Sequence, residues 1–313
     1  GPLHASSLIK LAASAPGGIP IDVPVRGEDF TCVPSSRVTA ESIESLARTI
    51  REALARAGCL GAVITHGTDT LEEVAFACEL LPAERDRPII FTGAMVPPKR
   101  KGTDAHANLA AAIRIASSSA LGGCFVAMHH RLHAPIEVRK QSTQGADAFG
   151  SPALGPIGWI SADGVELVRE PIRIELSSDS LEPRVELVRL VAGGGDRLLR
   201  AAAEGSRGLV VELFGAGNAG EDVSAAITDA TRAGITVFVC SRTGHGMPSP
   251  ETGVLEAGAV PAVVRGPDRP ALPLDGLTAR VLLMAALGAG VDSVRIAALL
   301  GAEAGPTVAW PAV

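Results

Sequence analysis

The chain contains no tyrosine, and tryptophan and phenylalanine number only two and seven among its 313 residues. Surfaces that grip nucleic acid by stacking interleave aromatics with basic residues, and no such run is present. The net charge of −6 likewise gives no sign of a nucleic-acid or anionic-membrane partner. No apolar stretch approaches the roughly 18 residues of a membrane span. The N-terminus has no charged segment ahead of an apolar one. A CxxC metal pattern is also missing. The five cysteines, Cys32, Cys59, Cys78, Cys124 and Cys240, are odd in number, scattered and mostly inside apolar runs. They suit structural thiols in a reducing, cytoplasmic compartment better than a disulfide framework.

What is present is an alternation of apolar strands and helices. Hydrophobic residues make up 47% of the chain, with 35 glycines and 22 prolines, as in an Ala/Val/Leu-rich α/β protein with many tight turns. Thr39 reads as an N-cap ahead of Ile43, Leu46, Ala47, Ile50, Leu54 and Ala57, an apolar face at helical spacing. LGAVIT reads as a strand buried on both faces. Thr70 to Glu73 then fits a capping box, before a stripe of Leu71, Val74, Ala75, Cys78 and Leu81 ended by Pro82. RPIIFTGAM and GGCFVAM read as further strands, with a helix capped by Asp104 between them. The pattern predicts an α/β protein with a larger N-terminal, mainly parallel-sheet domain over 1–165. A connection follows over 166–187, and a smaller flavodoxin-like α/β domain over 188–313. No repeat of fixed period is present.

Ligands of open parallel sheets bind beyond the carboxyl ends of strands. Thr65-His66-Gly67-Thr68-Asp69 lies at one such end. Gly67 permits close backbone approach. Thr68 brings a hydroxyl, and Asp69 a carboxylate beside the positive end of a helix. A hydroxyl next to a carboxylate is half of a nucleophilic site; a base or cation must complete it. Helix capping is the competing explanation for Asp69 and Thr70.

ITHGTDTLEE, TGAM at Thr92 to Met95, Asp104 to Leu109, VRKQST at Val138 to Thr143, and GPIG at Gly155 to Gly158 together resemble the bacterial-type L-asparaginase/glutaminase family. The likeness is densest between Ser35 and Gly158. It implies that Thr68, Asp69 and Lys140 form a Thr–Lys–Asp triad, in which the lysine acidifies the hydroxyl and Asp69 also holds a substrate α-ammonium. Ser35 would bind the α-carboxylate, with Ser36 beside it. Gly67 would admit the substrate, and the backbone of Ala94 would contact its side-chain amide. Asn218 would reach the substrate of a neighbouring subunit, so a homodimer or homotetramer is expected. The implied reaction is hydrolysis of the side-chain amide of L-asparagine or a close analogue to the acid and ammonia, without metal or organic cofactor. A relative acting on another amide or imide, and a non-catalytic amino-acid-binding relative, are the alternatives.

Two features depart from the family pattern. A Gly-Gly-Thr-Ile-type strand carrying a nucleophilic threonine, and a loop tyrosine after it, have no counterpart in residues 1–313, whose first threonine is Thr31. GPLHASSLIKLAA resembles the segment after that loop, so either both features precede Gly1 or this relative has lost them; the first is the expectation, because losing a central strand would leave unpaired backbone groups in the core. An acidic residue near the C-terminus has two candidates, Glu251 and Glu256.

Other constellations compete. Gly215, Gly217 and Gly220 satisfy the dinucleotide-binding fingerprint G-x-G-x-x-G after a strand, and Arg242 ends the next strand, where the 2′-phosphate of NADP would lie. A tight turn explains the same glycines. His129 and His133 stand at ligand spacing for one helix face, yet His129, His130 and His133 follow a strand end and read as surface loop residues. His66 reads as a packed neighbour of Thr68-Asp69 rather than a base. PPKRKG reads as a solvated loop whose three cations help attract an anionic substrate.

Overall fold

The computed structural model describes residues 3–15, 18–19, 23–81, 86–117, 121–161, 164–244, 246–249, 253–265 and 271–301. The chain divides into two compact units, Gly1–Arg173 and Ile174–Val313. It is a mixed α/β protein, the first unit being the larger.

The first unit opens with α1 (Ala5–Ala13), a 3-10 turn at Ser35–Arg37 and α2 (Ala40–Leu54). Thr39 caps α2 in a reciprocal box with Ser42, satisfying two N–H groups that a helix start leaves without partners. β1 (Ala62–Thr65), α3 (Leu71–Leu80), β2 (Pro88–Thr92), α4 (Ala105–Ser117) and β3 (Gly123–Met128) follow. β1, β2 and β3 pair in parallel. The chain then reverses through His129-His130 into β4 (Arg131–His133), antiparallel to β3. A separate ribbon, β5 (Arg139–Lys140) with β6 (Phe149–Gly150), precedes β7 (Gly158–Ile160) and β8 (Val165–Leu167). The six-stranded sheet runs β1-β2-β3-β4-β7-β8. Its later half is thus an antiparallel meander rather than a continuation of the parallel pattern.

Two local expectations change. β1 is half-buried, with Thr65 exposed, and among the described residues it stands at one end of the sheet order. Helix α3 is buried nearly all round, packed between β3, β2 and α2, so its apolar residues form more than a stripe. Phe91 and Phe125 are among the largest fully buried side chains of this unit. Burying a side chain of that kind contributes about 2 kcal/mol. Pro82 lies outside the described residues.

Of the stretch 166–187, the first two residues close β8 and the last three lie in β9 (Val185–Arg189), with residues 168–184 irregular between them. The second unit continues through α5 (Arg197–Ala203), β10 (Gly208–Leu213), α6 (Glu221–Arg232), β11 (Thr236–Ser241), α7 (Gly253–Glu256) and β12 (Val260–Pro261). These four strands form a wholly parallel sheet in the order β12-β11-β10-β9. Side chains of α5, α6 and α7 such as Leu199, Ile227 and Val254 share a core with Val211 and Val239. A hairpin of β13 (Val263–Val264) and β14 (Leu272–Pro273) leads to α8 (Gly276–Gly288), which packs on β9, β10 and β11, and to α9 (Ser293–Leu299). No helix among the described residues is long and apolar enough to cross a membrane.

Candidate active site

The carboxyl ends of β1 and β2 lie side by side, with the His66 N–H donating to the Thr92 carbonyl at 2.9 Å. From β1 the chain runs through His66-Gly67-Thr68-Asp69 into α3, whose N-cap position is Thr70. The expected capping box does not form. Thr70 donates its hydroxyl to the Ser35 carbonyl instead, at 3.0 Å. Ser35 in turn accepts the Asp69 N–H on Oγ at 3.3 Å. These two bonds dock the Ser35 turn onto the strand-to-helix turn. Gly67 makes the docking sterically feasible: a Cβ there would sit 2.6 Å from Ser35 Oγ.

Lys140 arrives from the β5–β6 ribbon. Its ammonium donates to Thr68 Oγ1 and to Asp69 Oδ1, both at 2.9 Å. The lysine side chain is 20% exposed and the aspartate 64%, so the carboxylate faces solvent while the amine is largely covered. An ammonium on a hydroxyl oxygen favours its alkoxide form, the requirement for a nucleophile or for activating water.

The TGAM loop closes the neighbouring side. Gly93 comes so near the His66 carbonyl that a Cβ would lie 2.6 Å from it, and 3.4 Å from the Thr68 methyl. Ala94 follows directly. Asp104 does not cap α4 with its side chain; the carboxylate turns to the loop, accepting from the Met95 and Val96 N–H groups at 3.1 and 2.9 Å. Asn108 donates to Asp104 and to the Gly93 carbonyl, each at 3.0 Å, and accepts from the His129 N–H. The structure therefore brings together Ser35, Gly67, Thr68, Asp69 and Lys140, with the Ala94 loop alongside. Ser36 is exposed beside Ser35. Asn218 belongs to the second unit, on the turn after β10, where it lines a cleft of about 320 Å³ with Gly217, Ser224 and Ser249.

A family model for the N-terminal asparaginase domain matches residues 9–173, and one for the glutaminase/asparaginase C-terminal domain matches residues 184–300. The chain belongs to the asparaginase family. It is 31% identical to the L-asparaginase of Bacillus licheniformis, over 76% of this chain and 77% of that protein. It is 30% identical to L-asparaginase 2 of Bacillus subtilis (strain 168), over 88% of this chain and 73% of the relative. These L-asparaginases are enzymes. A component of the glutamyl-tRNA(Gln) amidotransferase of Halobacterium salinarum is also similar, at 31% identity, but the match spans 56% of its length. Among solved structures, a probable cytoplasmic L-asparaginase from Campylobacter jejuni superposes with a TM-score of 0.79 at 25% identity, over 95% of this chain and 91% of that one.

Burial holds the His66 imidazole below its usual value, partly opposed by its 2.8 Å bond with the Gly67 carbonyl. His129 and His130 adopt positive φ, 46° and 60°, as the two-residue turn between β3 and β4 requires. His133 is not a loop residue; it is fully buried on β4 and bonded to Ser151 at 2.9 Å. The turn breaks any helical spacing between His129 and His133. No group of three His, Cys, Asp or Glu able to hold a metal ion occurs among the described residues. Glu256 lies at the end of α7, and Glu251 lies outside the described residues.

Sequence reading missed the buried side chains behind the site. Glu72 accepts from the Lys140 main-chain N–H, and Asn108 ties three segments together. Glu72 and Glu73 both stand in the first turn of α3, where acidic residues are common, so the sequence carried no distinct signal for Glu72.

Proposed function

We propose that this chain hydrolyses the side-chain amide of L-asparagine or a close analogue, releasing ammonia, with Thr68, Lys140 and Asp69 as the reacting set. The observation that carries this reading is the placement of one ammonium 2.9 Å from both the Thr68 hydroxyl and the Asp69 carboxylate. The polarised Thr68 hydroxyl attacks the amide carbonyl or activates the water that does. The solvent-facing Asp69 carboxylate holds the substrate α-ammonium, and Ser35 binds the α-carboxylate. Holding a zwitterion at both charged groups fixes its amide over the hydroxyl, which replaces an encounter by a near-attack geometry. The Ala94 main chain completes the amide contact. Self-association into a dimer or tetramer would add Asn218 of a neighbouring subunit.

Coupled ammonia detection with asparagine, glutamine and a succinimide tests this. Asparagine turnover above the others is expected. Turnover of the succinimide alone would make the protein an imide hydrolase. Aspartate binding without any turnover would make it an amino-acid binder. Glutamine preferred over asparagine would make it a glutaminase.

A further inference from the structure

We propose that Glu72 is a positioning residue for Lys140: its buried carboxylate fixes the main chain of β5 so that the amine of Lys140 reaches Thr68 and Asp69. This rests on reading those three residues as the reacting set.

Glu72 stands in the first turn of α3, two residues beyond Thr70, and is only 9% exposed. Its carboxylate accepts the main-chain N–H of Lys140. The same strand-to-helix turn supplies Thr68 and Asp69, which accept from Lys140 Nζ. One short segment, 68–72, therefore grips Lys140 at both ends. A change in the backbone of residue 140 would be passed along the side chain to the amine.

The ribbon's own main-chain pairing is slight, although Val138, Ala148 and Phe149 beside Lys140 are buried. β5 is two residues long and pairs only with the equally short β6, in a sheet of its own. Isolated two-stranded ribbons are marginal by themselves. Residues 141–148, between the two strands, are irregular, tied near the ribbon by the Gln141 N–H on the Ala148 carbonyl at 2.7 Å.

The cost of placing Glu72 where it is argues that it has a task. Neighbours on α3 such as Leu71, Val74, Ala75 and Phe76 are apolar and buried, and the helix's other buried carboxylate, Glu79, is paired with Arg173. Burial pushes the Glu72 carboxyl above its usual range, and the Lys140 N–H and the Arg139 charge pull it back. A buried carboxylate without such partners is unfavourable by far more than an apolar side chain at the same place.

Two variants separate the roles. Glu72→Gln keeps a carbonyl acceptor of the same reach and removes the charge; Glu72→Ala removes the acceptor. Glu72→Ala is expected to lower kcat by about 10- to 100-fold, the scale of a small misplacement, with KM little changed, and Glu72→Gln to restore most of the loss. If Glu72→Ala does not fold, Glu72→Leu, which keeps the volume, takes its place. Labelling of the Lys140 amine by acetic anhydride, read by peptide mass spectrometry, supplies a readout that needs no turnover. It should be several-fold faster in Glu72→Ala than in wild type or Glu72→Gln. A wild type inactive on every amide would remove the proposed reaction, while labelling would still decide the role of Glu72. Equal kcat and equal labelling in all three proteins, a loss carried by KM alone, or a loss that tracks the unfolded fraction would each overturn the proposal.

Discussion

The Lys140 ammonium bridges Thr68 Oγ1 and Asp69 Oδ1 at 2.9 Å on each side, from a strand 71 or more residues further along the chain. In the proposed reaction it stabilises charge developing on the hydroxyl. Removing one such preorganised donor costs roughly 10²- to 10³-fold in kcat. Lys140→Met is therefore expected to lose at least that factor of ammonia release, while calorimetry still detects L-aspartate, whose proposed anchors are Asp69 and Ser35. Full activity in Lys140→Met would leave the triad without a role.

Gly67→Ala tests the docking of Ser35. The added methyl meets Ser35 Oγ at 2.6 Å and Ser35 Cβ at 2.8 Å, neither of which is the free end of a long side chain. Ser35 must shift, breaking its bond to the Asp69 N–H. Overpacking of this kind costs about 1–3 kcal/mol. Urea unfolding should show that loss, and KM should rise more than kcat falls. An unchanged KM would mean that Ser35 does not bind substrate.

How much of this was legible beforehand depends on the range of the interaction. The strand–turn–helix at Val63 to Leu80 was readable because the apolar run, the small polar turn and the helical residues are contiguous. The Thr39 cap was readable for the same reason. The capping box at Thr70 was not, because the hydroxyl meets a competing acceptor, the Ser35 carbonyl, 35 residues away. Asp104 likewise left the helix-capping role for two N–H groups of the TGAM loop. The antiparallel half of the first sheet was hidden because two histidines make its turn in place of the Asn-Gly or Asp-Gly pair that marks a two-residue hairpin. The resemblance named Ser35, Gly67, Thr68, Asp69 and Lys140, which lie near one another in the fold, together with Ser36, exposed beside Ser35, and Asn218, which belongs to the second unit; its motif contained Glu72 but assigned it no role.

Asp104 and Asn108 should prove structural supports of the TGAM loop. Asp104→Ala leaves the Met95 and Val96 N–H groups without their acceptor and Asn108 without one of its partners. Orphaned donors cost about 1–3 kcal/mol each when fully buried, and these two are half-buried, so the lower end applies. The expected outcome is a clear drop in urea midpoint, together with faster hydrogen exchange at residues 93–96. A drop in midpoint with unchanged exchange there would place the effect elsewhere.

His133 predicts a stability that falls with acid. Burial lowers its value from 6.5 to about 4, helped by the charges of Arg131 and Arg169. Above pH about 6.5 the imidazole is neutral in both states and the contribution is complete. Between about 6.5 and 4 the unfolded chain binds a proton that the folded one refuses, so stability falls as pH falls, by about 3 kcal/mol in all. Glu72, whose carboxyl is raised by burial, acts in the opposite sense as pH rises past its ordinary value of 4.5. The comparison with His133→Gln therefore isolates the histidine. Urea midpoints at pH 7.5, 6 and 5 should fall more steeply in wild type than in the variant; equal slopes would refute this assignment.

The glycine turn after β10 is expected to ignore dinucleotides. Gly215 and Gly217 take positive φ, 45° and 103°, and Gly220 is the N-cap of α6, so the turn needs glycine for its own geometry. The start of α6 carries Glu221 and Asp222, and the Asp222 carboxylate accepts the Val223 N–H at 2.9 Å. That places negative charge where a pyrophosphate would seek helix N–H groups. Arg242, the candidate for a 2′-phosphate, lies 4.5 Å over the Phe214 ring and donates to the Leu190 carbonyl at 2.9 Å. A ligand bound at 100 times its Kd stabilises a fold by about 2.7 kcal/mol, enough to move a melting curve visibly. Millimolar NADP(H) should leave the thermal melt in place, whereas a shift abolished by Arg242→Ala would restore the dinucleotide reading of this turn.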